Sequence, residues 1–177
     1  MEHEPECIKK YYEGCATLAD MARKAASMEG VDFLSFRMEG GDPNGANKST
    51  EELIGELKEI ADAVDLPLVV CGCKNVEKDA ELFSKAAEAL NGKNAVILSA
   101  KEENYKTVGA AAGLAYKQIV GAESAVDINL AKQLNVLISQ LGVDSKSVVM
   151  NVGSAAVGYG FEYVISTMDL SLIHISE

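Results

Sequence analysis

From Ile8 to Met28, small and apolar residues (Ile8, Tyr12, Cys15, Leu18, Ala19, Ala22, Ala25, Ala26) recur every three or four positions, the period of one helix face. The pattern then changes. Val31 to Arg37 is a short run of aliphatic and aromatic residues, closed by the turn-rich stretch Gly40-Gly41-Asp42-Pro43-Asn44-Gly45, and predicts a strand followed by a loop. Ser49 and Glu52 have the spacing of a capping box and open a helix through about Val64, with Leu53, Ile54, Leu57, Ile60 and Ala61 on one side.

The same alternation repeats along the chain. Strands are predicted at Leu66 to Cys71, Ala95 to Ala100, Gln118 to Ala122 and Ser147 to Val152. Helices are predicted at Val76 to Leu90, Glu103 to Tyr116, Asp127 to Leu141 and Ala155 to Met168. The strands are continuous apolar runs, such as Leu68-Val69-Val70 and Val96-Ile97-Leu98, as expected where helices cover a parallel sheet. Two α/β architectures fit: an open doubly wound sheet, or a (β/α)8 barrel, which normally needs about 250 residues. No GxGxxG or GxxxxGK[ST] segment opens a helix, so the usual nucleotide-binding signatures of the open sheet are missing. Five units cannot close an eight-stranded barrel, so a barrel would be present here as a fragment. Leu170 to Glu177 resembles translated adapter read-through. It is expected to be a non-native tail after a domain spanning residues 1–169, with an ordinary terminal strand as the alternative.

Composition narrows the function. With 48% hydrophobic residues in 177, the chain can bury a real core. Sixteen Lys and Arg against 27 Asp and Glu give a net charge of -11, which makes nucleic acid and anionic membrane surfaces poor partners. No stretch approaches the roughly 20 apolar residues of a membrane span. The acidic start Met1-Glu2-His3-Glu4 lacks the features of a signal peptide, so a cytoplasmic location is expected. Cys7, Cys15, Cys71 and Cys73 are too few and too irregular for a disulfide framework and are expected as reduced thiols. His3 and His174, both near the termini, do not suggest a metal site.

In either parallel architecture, functional groups gather where strands run into the following helices. Those positions carry Arg37, Glu39, Asp42 and Asn44; Cys73, Lys74 and Asn75; Lys101, Glu102, Asn104 and Tyr105; Glu123, Ser124, Asp127 and Asn129; and Asn151, Gly153 and Ser154. Amides and hydroxyls of this kind suit a polar ring system or an amide-bearing cofactor, because they donate and accept hydrogen bonds without charge. Several are equally good turn and cap residues. Arg37, ending an apolar strand, must meet an anion, water or a partner such as Glu39. Asp42 and Asp127 could pair as acid and base only if the fold brings them together. Lys101 is the one candidate for a Schiff-base lysine of a lyase, against a solvated lysine. Tyr159 and Tyr163, four apart, are expected to pack on the final helix rather than form a stacking platform.

Several segments carry a family resemblance. They are Asn104-Tyr105-Lys106-Thr107, Asp127 through Asn135, Gly158-Tyr159-Gly160-Phe161-Glu162-Tyr163, Gly41 through Gly45, and Cys71-Gly72-Cys73-Lys74-Asn75 with Lys78-Asp79-Ala80-Glu81. In their order along the chain they resemble the small subunit of the corrinoid iron–sulfur protein, the delta subunit of the acetyl-CoA decarbonylase/synthase complex, from about Val31 to Met168. The resemblance implies a (β/α)8 TIM barrel, here an incomplete fragment of about five β/α units. It also implies a place in the Wood-Ljungdahl pathway of anaerobes, where the heterodimer takes a methyl group from a methyl-pterin onto corrinoid cobalt and delivers it to acetyl-CoA synthase. By that resemblance the large subunit holds the iron–sulfur cluster and most of the corrinoid site. This chain, without a cluster of its own, helps cover the corrinoid, and methyltransferase and acetyl-CoA synthase are transient partners.

The cofactor-facing candidates are Asn104, Tyr105, Asn129, Asn151 and Ser154, with no catalytic or metal-binding residue assigned. Two features depart from the family. Asn151-Val152-Gly153-Ser154 stands where many relatives carry Asp-Pro-Thr-Thr, which removes any role tied to that aspartate, and the first strand and last two units are missing. The leading expectation is a largely non-catalytic subunit of a methyl carrier. The alternative is a pterin-dependent methyltransferase, a related barrel in which Asn104, Asn129 or Asn151 would hold the pterin.

Overall fold

The structure, a computed structural model, describes residues 5–175. The N-terminal tetrapeptide read above for a signal peptide, His3, the side chain of His174 and the last two residues of the suspected tail lie outside the described residues. The elements run α1 (Glu6–Tyr11), α2 (Leu18–Ala26), β1 (Leu34–Arg37), α3 (Thr50–Ala63), β2 (Leu68–Cys71), α4 (Val76–Ala89), β3 (Ala95–Ala100), α5 (Tyr105–Val108), β4 (Ile119–Glu123), α6 (Ile128–Gln140), β5 (Val148–Asn151) and α7 (Phe161–Ile175). The five strands and the strand-to-helix alternation fall where the hydrophobic pattern predicts them.

Three boundaries differ, each for a local reason. The single predicted N-terminal helix is two, because the chain turns at Gly14 (φ 84°) and restarts at Thr17, whose hydroxyl accepts from Asp20 N–H while the Asp20 carboxylate accepts from Thr17 N–H. The predicted helix from Glu103 to Tyr116 is one short α turn, α5, continued by a π-helical stretch over Gly109–Ala115. The last helix starts at Phe161, six residues late, because Gly158 and Gly160 adopt φ of 78° and 97° and hold the preceding segment in a turn. It then runs through Ile175, so the terminal-strand reading of the tail is overturned. Among the described residues, no helix is long and apolar enough to cross a membrane.

All five strands are parallel and lie in the order β1-β2-β3-β4-β5. A doubly wound sheet reverses direction at a switch point, and the order of these five strands contains no reversal. With crossovers of one hand, a sequential order puts every connecting helix on the same face. The helices accordingly pack side by side: α2 on α3, α3 on α4, α5 on α6 and α6 on α7.

The core lies between that helical layer and one face of the sheet. Leu68 and Val70, Ala95 and Ile97, and Val120 and Ala122 point from the strands into it and meet Leu53, Leu57, Leu82, Phe83, Leu134 and Ile138 from the helices, all buried. The intervening strand residues, Ser35, Val69, Val96, Ile119 and Val149, lie on the opposite face and stay half-buried or exposed. At the N-terminal edge the buried Gln118 side chain ties the layers together. Its Oε1 accepts from Ala95 N–H at 3.0 Å and its Nε2 donates to the Leu90 carbonyl at 2.7 Å.

Candidate functional site

At the opposite edge, where the strands end, a cleft of about 310 Å³ opens. Strand register builds it. Arg37, Cys71, Leu98, Gly121 and Val149 form one row across the uncovered face, and Glu123 and Asn151 form the next row on β4 and β5. Side chains of Arg37, Cys71, Leu98, Glu123 and Asn151 therefore converge on the cleft, joined by Lys74 and Lys101 from the following loops and by Ser154 after β5.

Its floor is set by a buried carboxylate. Asp79, in the first turn of α4, reaches back and accepts a hydrogen bond from Cys73 N–H at 2.6 Å. A Cβ at residue 72 would lie 2.3–2.5 Å from three atoms of that carboxyl group, so glycine is required there by close approach. Burial pushes the Cys73 thiol above its ordinary value, and the neighbouring Asp79 adds to the effect. The four cysteines are free.

The charges on the rim are arranged in loose pairs. Glu39 Oε1 is shared by Arg37 Nη1 at 3.3 Å and Lys74 Nζ at 3.4 Å, and Lys101 Nζ lies 3.6 Å from Glu123 Oε1. Arg37 thus meets Glu39, one of the alternatives raised by its position. Lys101, the candidate lysine, is half-buried and paired with Glu123. Lys78, by contrast, is committed to structure, donating to Asn47 Oδ1 at 3.0 Å and to the Lys48 carbonyl at 2.8 Å.

Of the five predicted cofactor-facing residues, the fold brings two together on the cleft, Asn151 and Ser154. Asn151 Oδ1 accepts from Gly153 N–H at 3.1 Å, which turns its NH2 group into the part that can donate. Asn104 is buried and closes a turn through Lys101 N–H at 2.7 Å. Tyr105 is half-buried against the core, with Lys106 Nζ 5.9 Å from its ring centre. Asn129 is exposed in the first turn of α6 beside the cap made by Asp127, whose Oδ1 accepts from Asn129 N–H at 2.8 Å and Leu130 N–H at 3.1 Å.

Asp42 and Asp127 are both engaged in local turns, after β1 and before α6, and the structure pairs neither with the other. Tyr159 and Tyr163 do not form the expected packed pair: the late start of α7 leaves Tyr159 in the preceding turn, 86% exposed, and Tyr163, in the first turn of α7, is 66% exposed. Residues that sequence reasoning missed include Asp79 and Ser99 on the cleft wall. A carboxylate in the first turn of a helix ordinarily reads as a solvated, dipole-favoured residue, and only the adjacent Gly72 carried a hint of close packing.

Comparison with known proteins gives the context of this site. The family model described as CO dehydrogenase/acetyl-CoA synthase delta subunit matches residues 2–171. Among curated relatives, the acetyl-CoA decarbonylase/synthase complex subunit delta of Methanopyrus kandleri is 35% identical over 150 residues, 84% of this chain and 37% of the relative. The protein of that name from Methanothermobacter thermautotrophicus is 33% identical over 150 residues, 84% of this chain and 38% of the relative. That from Methanocaldococcus jannaschii is 30% identical over 166 residues, 93% of this chain and 41% of the relative. The chain therefore spans well under half the length of these relatives.

Proposed function

The chain belongs to the CO dehydrogenase/acetyl-CoA synthase delta-subunit family, and we propose from that premise that it serves in a methyl carrier as a non-catalytic subunit. In this reading a large subunit binds the iron–sulfur cluster and most of a corrinoid. The pair accepts a methyl group from a methyl-pterin and passes it to acetyl-CoA synthase, with a separate methyltransferase making the first transfer. The match across residues 2–171 carries the reading.

The fold supports the barrel part of the proposal. A sequential parallel sheet with all helices on one face and a bare, partly apolar second face is the geometry of successive units of a (β/α)8 barrel, whose inward face is the bare one. The greater length of the relatives leaves room for the remaining units, and residues 170–177 stand outside them in this reading.

The cleft residues fit a limited role toward a corrinoid. At about 310 Å³ the cleft is at the lower end of ligand-site sizes and suits one edge of a large ring. Asn151 NH2 and Ser154 OH can meet amide groups on such an edge. When bound, the corrinoid supplies the cobalt that accepts and releases the methyl group. This chain's residues would hold the ring's periphery and exclude water from it.

The test is methyl transfer from a methyl-pterin with the separate methyltransferase present, measured with the whole reading frame alone and with its large subunit. Turnover only when the two are combined is the expected result. Substantial turnover by this protein alone would overturn the carrier reading, and tight methyl-pterin binding by it alone would favour the methyltransferase alternative.

A further inference from the structure

Three cations meet at the cleft edge of a chain of net charge -11, with the carboxylates of Glu39, Glu123 and Asp79 beside them. Arg37, Lys74 and Lys101 come from the ends of three successive strands and line one cavity. Their present partners hold them weakly. Glu39 offers a single oxygen to two cations at 3.3 and 3.4 Å, and Glu123 stands 3.6 Å from Lys101, all with side chains about a third to two-thirds exposed. Exposed contacts of this length contribute little and exchange readily.

Among the described residues, Arg37 commits one nitrogen to Glu39, and the rest of its donor fork remains for a ligand. The far wall also offers donors, since Asn151 has its oxygen occupied by Gly153 N–H and presents NH2 beside the Ser154 hydroxyl. Asp79, the other acid on the wall, is directed to Cys73 N–H.

We infer that this side of the cleft is an oxyanion site for a phosphate-class dianion, with the Glu39 carboxylate as its intramolecular occupant. A dianion can engage Arg37, Lys74 and Lys101 together, which the single Glu39 oxygen does not, and charge-assisted bidentate bonds to Arg37 exceed the present single contact. Glu39 has the reach to leave, because its side chain is exposed at the start of the 3-10 turn Glu39–Gly41, two residues after Arg37. The inference concerns the same cleft as the proposed function but does not rest on methyl transfer: anion binding can be present whether or not the protein is a methyl carrier.

The experiment is a titration of the intact chain with inorganic phosphate at constant ionic strength, followed by backbone amide NMR. Glycerol phosphate in a second arm separates free phosphate from a phosphate ester as the natural source. Saturable shifts centred on residues 37, 74 and 101 are expected with at least one of the two. Arg37→Gln should weaken binding about tenfold, and Glu39→Gln should tighten it several-fold by removing the competing carboxylate. Lys58→Gln, an exposed lysine on α3 outside the cleft, should change nothing. All three positions are exposed, so folding of the variants, checked by circular dichroism, is expected to be retained. Absence of saturable shifts with both ligands overturns the inference. So does a Lys58→Gln loss equal to that of Arg37→Gln, which would show general charge screening, or an unchanged affinity in Glu39→Gln.

Discussion

The two faces of the sheet are made from the same five strands, alternate residue by alternate residue, yet they carry different burdens. On the helix side, Val70, Ile97, Val120 and Ala122 are fully buried among helix side chains. On the other side, Val69, Val96 and Ile119 are half-covered and Val149 is 46% exposed, and the polar ends of the strands, Arg37, Glu123 and Asn151, point into the cleft. Stability is concentrated on one face and chemistry on the rim of the other. In a sheet whose strands are apolar on both faces, helical cover alone separates the two roles.

The sharpest way to break this comparison is to truncate neighbouring residues of β3 that point to opposite faces. Ile97→Ala should cost about 2 to 5 kcal/mol, the loss of a fully buried side chain with an unfilled cavity. Val96→Ala should cost about 1 kcal/mol, because less area leaves water. Urea unfolding of both variants at low protein concentration measures the difference. Equal losses would mean that something covers the second face in solution.

A smaller effect sharpens the account of the cleft floor. Gly72→Ala forces a Cβ onto the Asp79 carboxylate and should destabilise by about 1 to 3 kcal/mol. If that overlap is the cause, adding Asp79→Ala should recover part of the loss, giving a coupling of at least about 0.5 kcal/mol in a double-mutant cycle.

The smallest effect lies at the start of α3. Ser49→Ala removes the cap of α3, for about 1 kcal/mol. Hydrogen bonds from the Ser49 backbone N–H and hydroxyl hold the Glu52 carboxyl below its ordinary value. A carboxylate lowered in the folded state contributes stability that is full above its unfolded value, about 4.3, and is lost as the pH falls through the folded one. Ser49→Ala should therefore flatten the stability loss below about pH 4. An unchanged acid limb in urea unfolding from pH 3 to 7 would show that this cap is not among its causes.

How far the sequence could be read depended on the range of the interaction involved. The capping box at Ser49 and Glu52, the strand at Ala95–Ala100 and the helix after Asn75 are local, and each was legible because the residues that make it lie within one or two turns. Asn151 and Ser154 were legible as cleft residues because any parallel α/β sheet places strand ends at one edge. Asn129 followed the same rule but is exposed beside its helix cap, since one residue of shift in a first helical turn points a side chain elsewhere. Tyr159 and Tyr163 had helical spacing, yet glycines at 158 and 160 delayed the helix, so spacing described a segment that is partly a turn.

The sequence by itself determined the alternation of strand and helix, the parallel sheet implied by doubly apolar strands, the family, and the edge at which polar strand-end residues gather. It could do so because periodicity, caps and motifs are properties of neighbours along the chain. Only the tertiary structure decided that the strands follow one another without reversal, that one face is left uncovered, and that Arg37, Lys74 and Lys101 share a cleft whose floor is Asp79. Those facts depend on which strand lies beside which, and strand order is set by packing between segments some thirty residues apart, about the length of a βαβ unit.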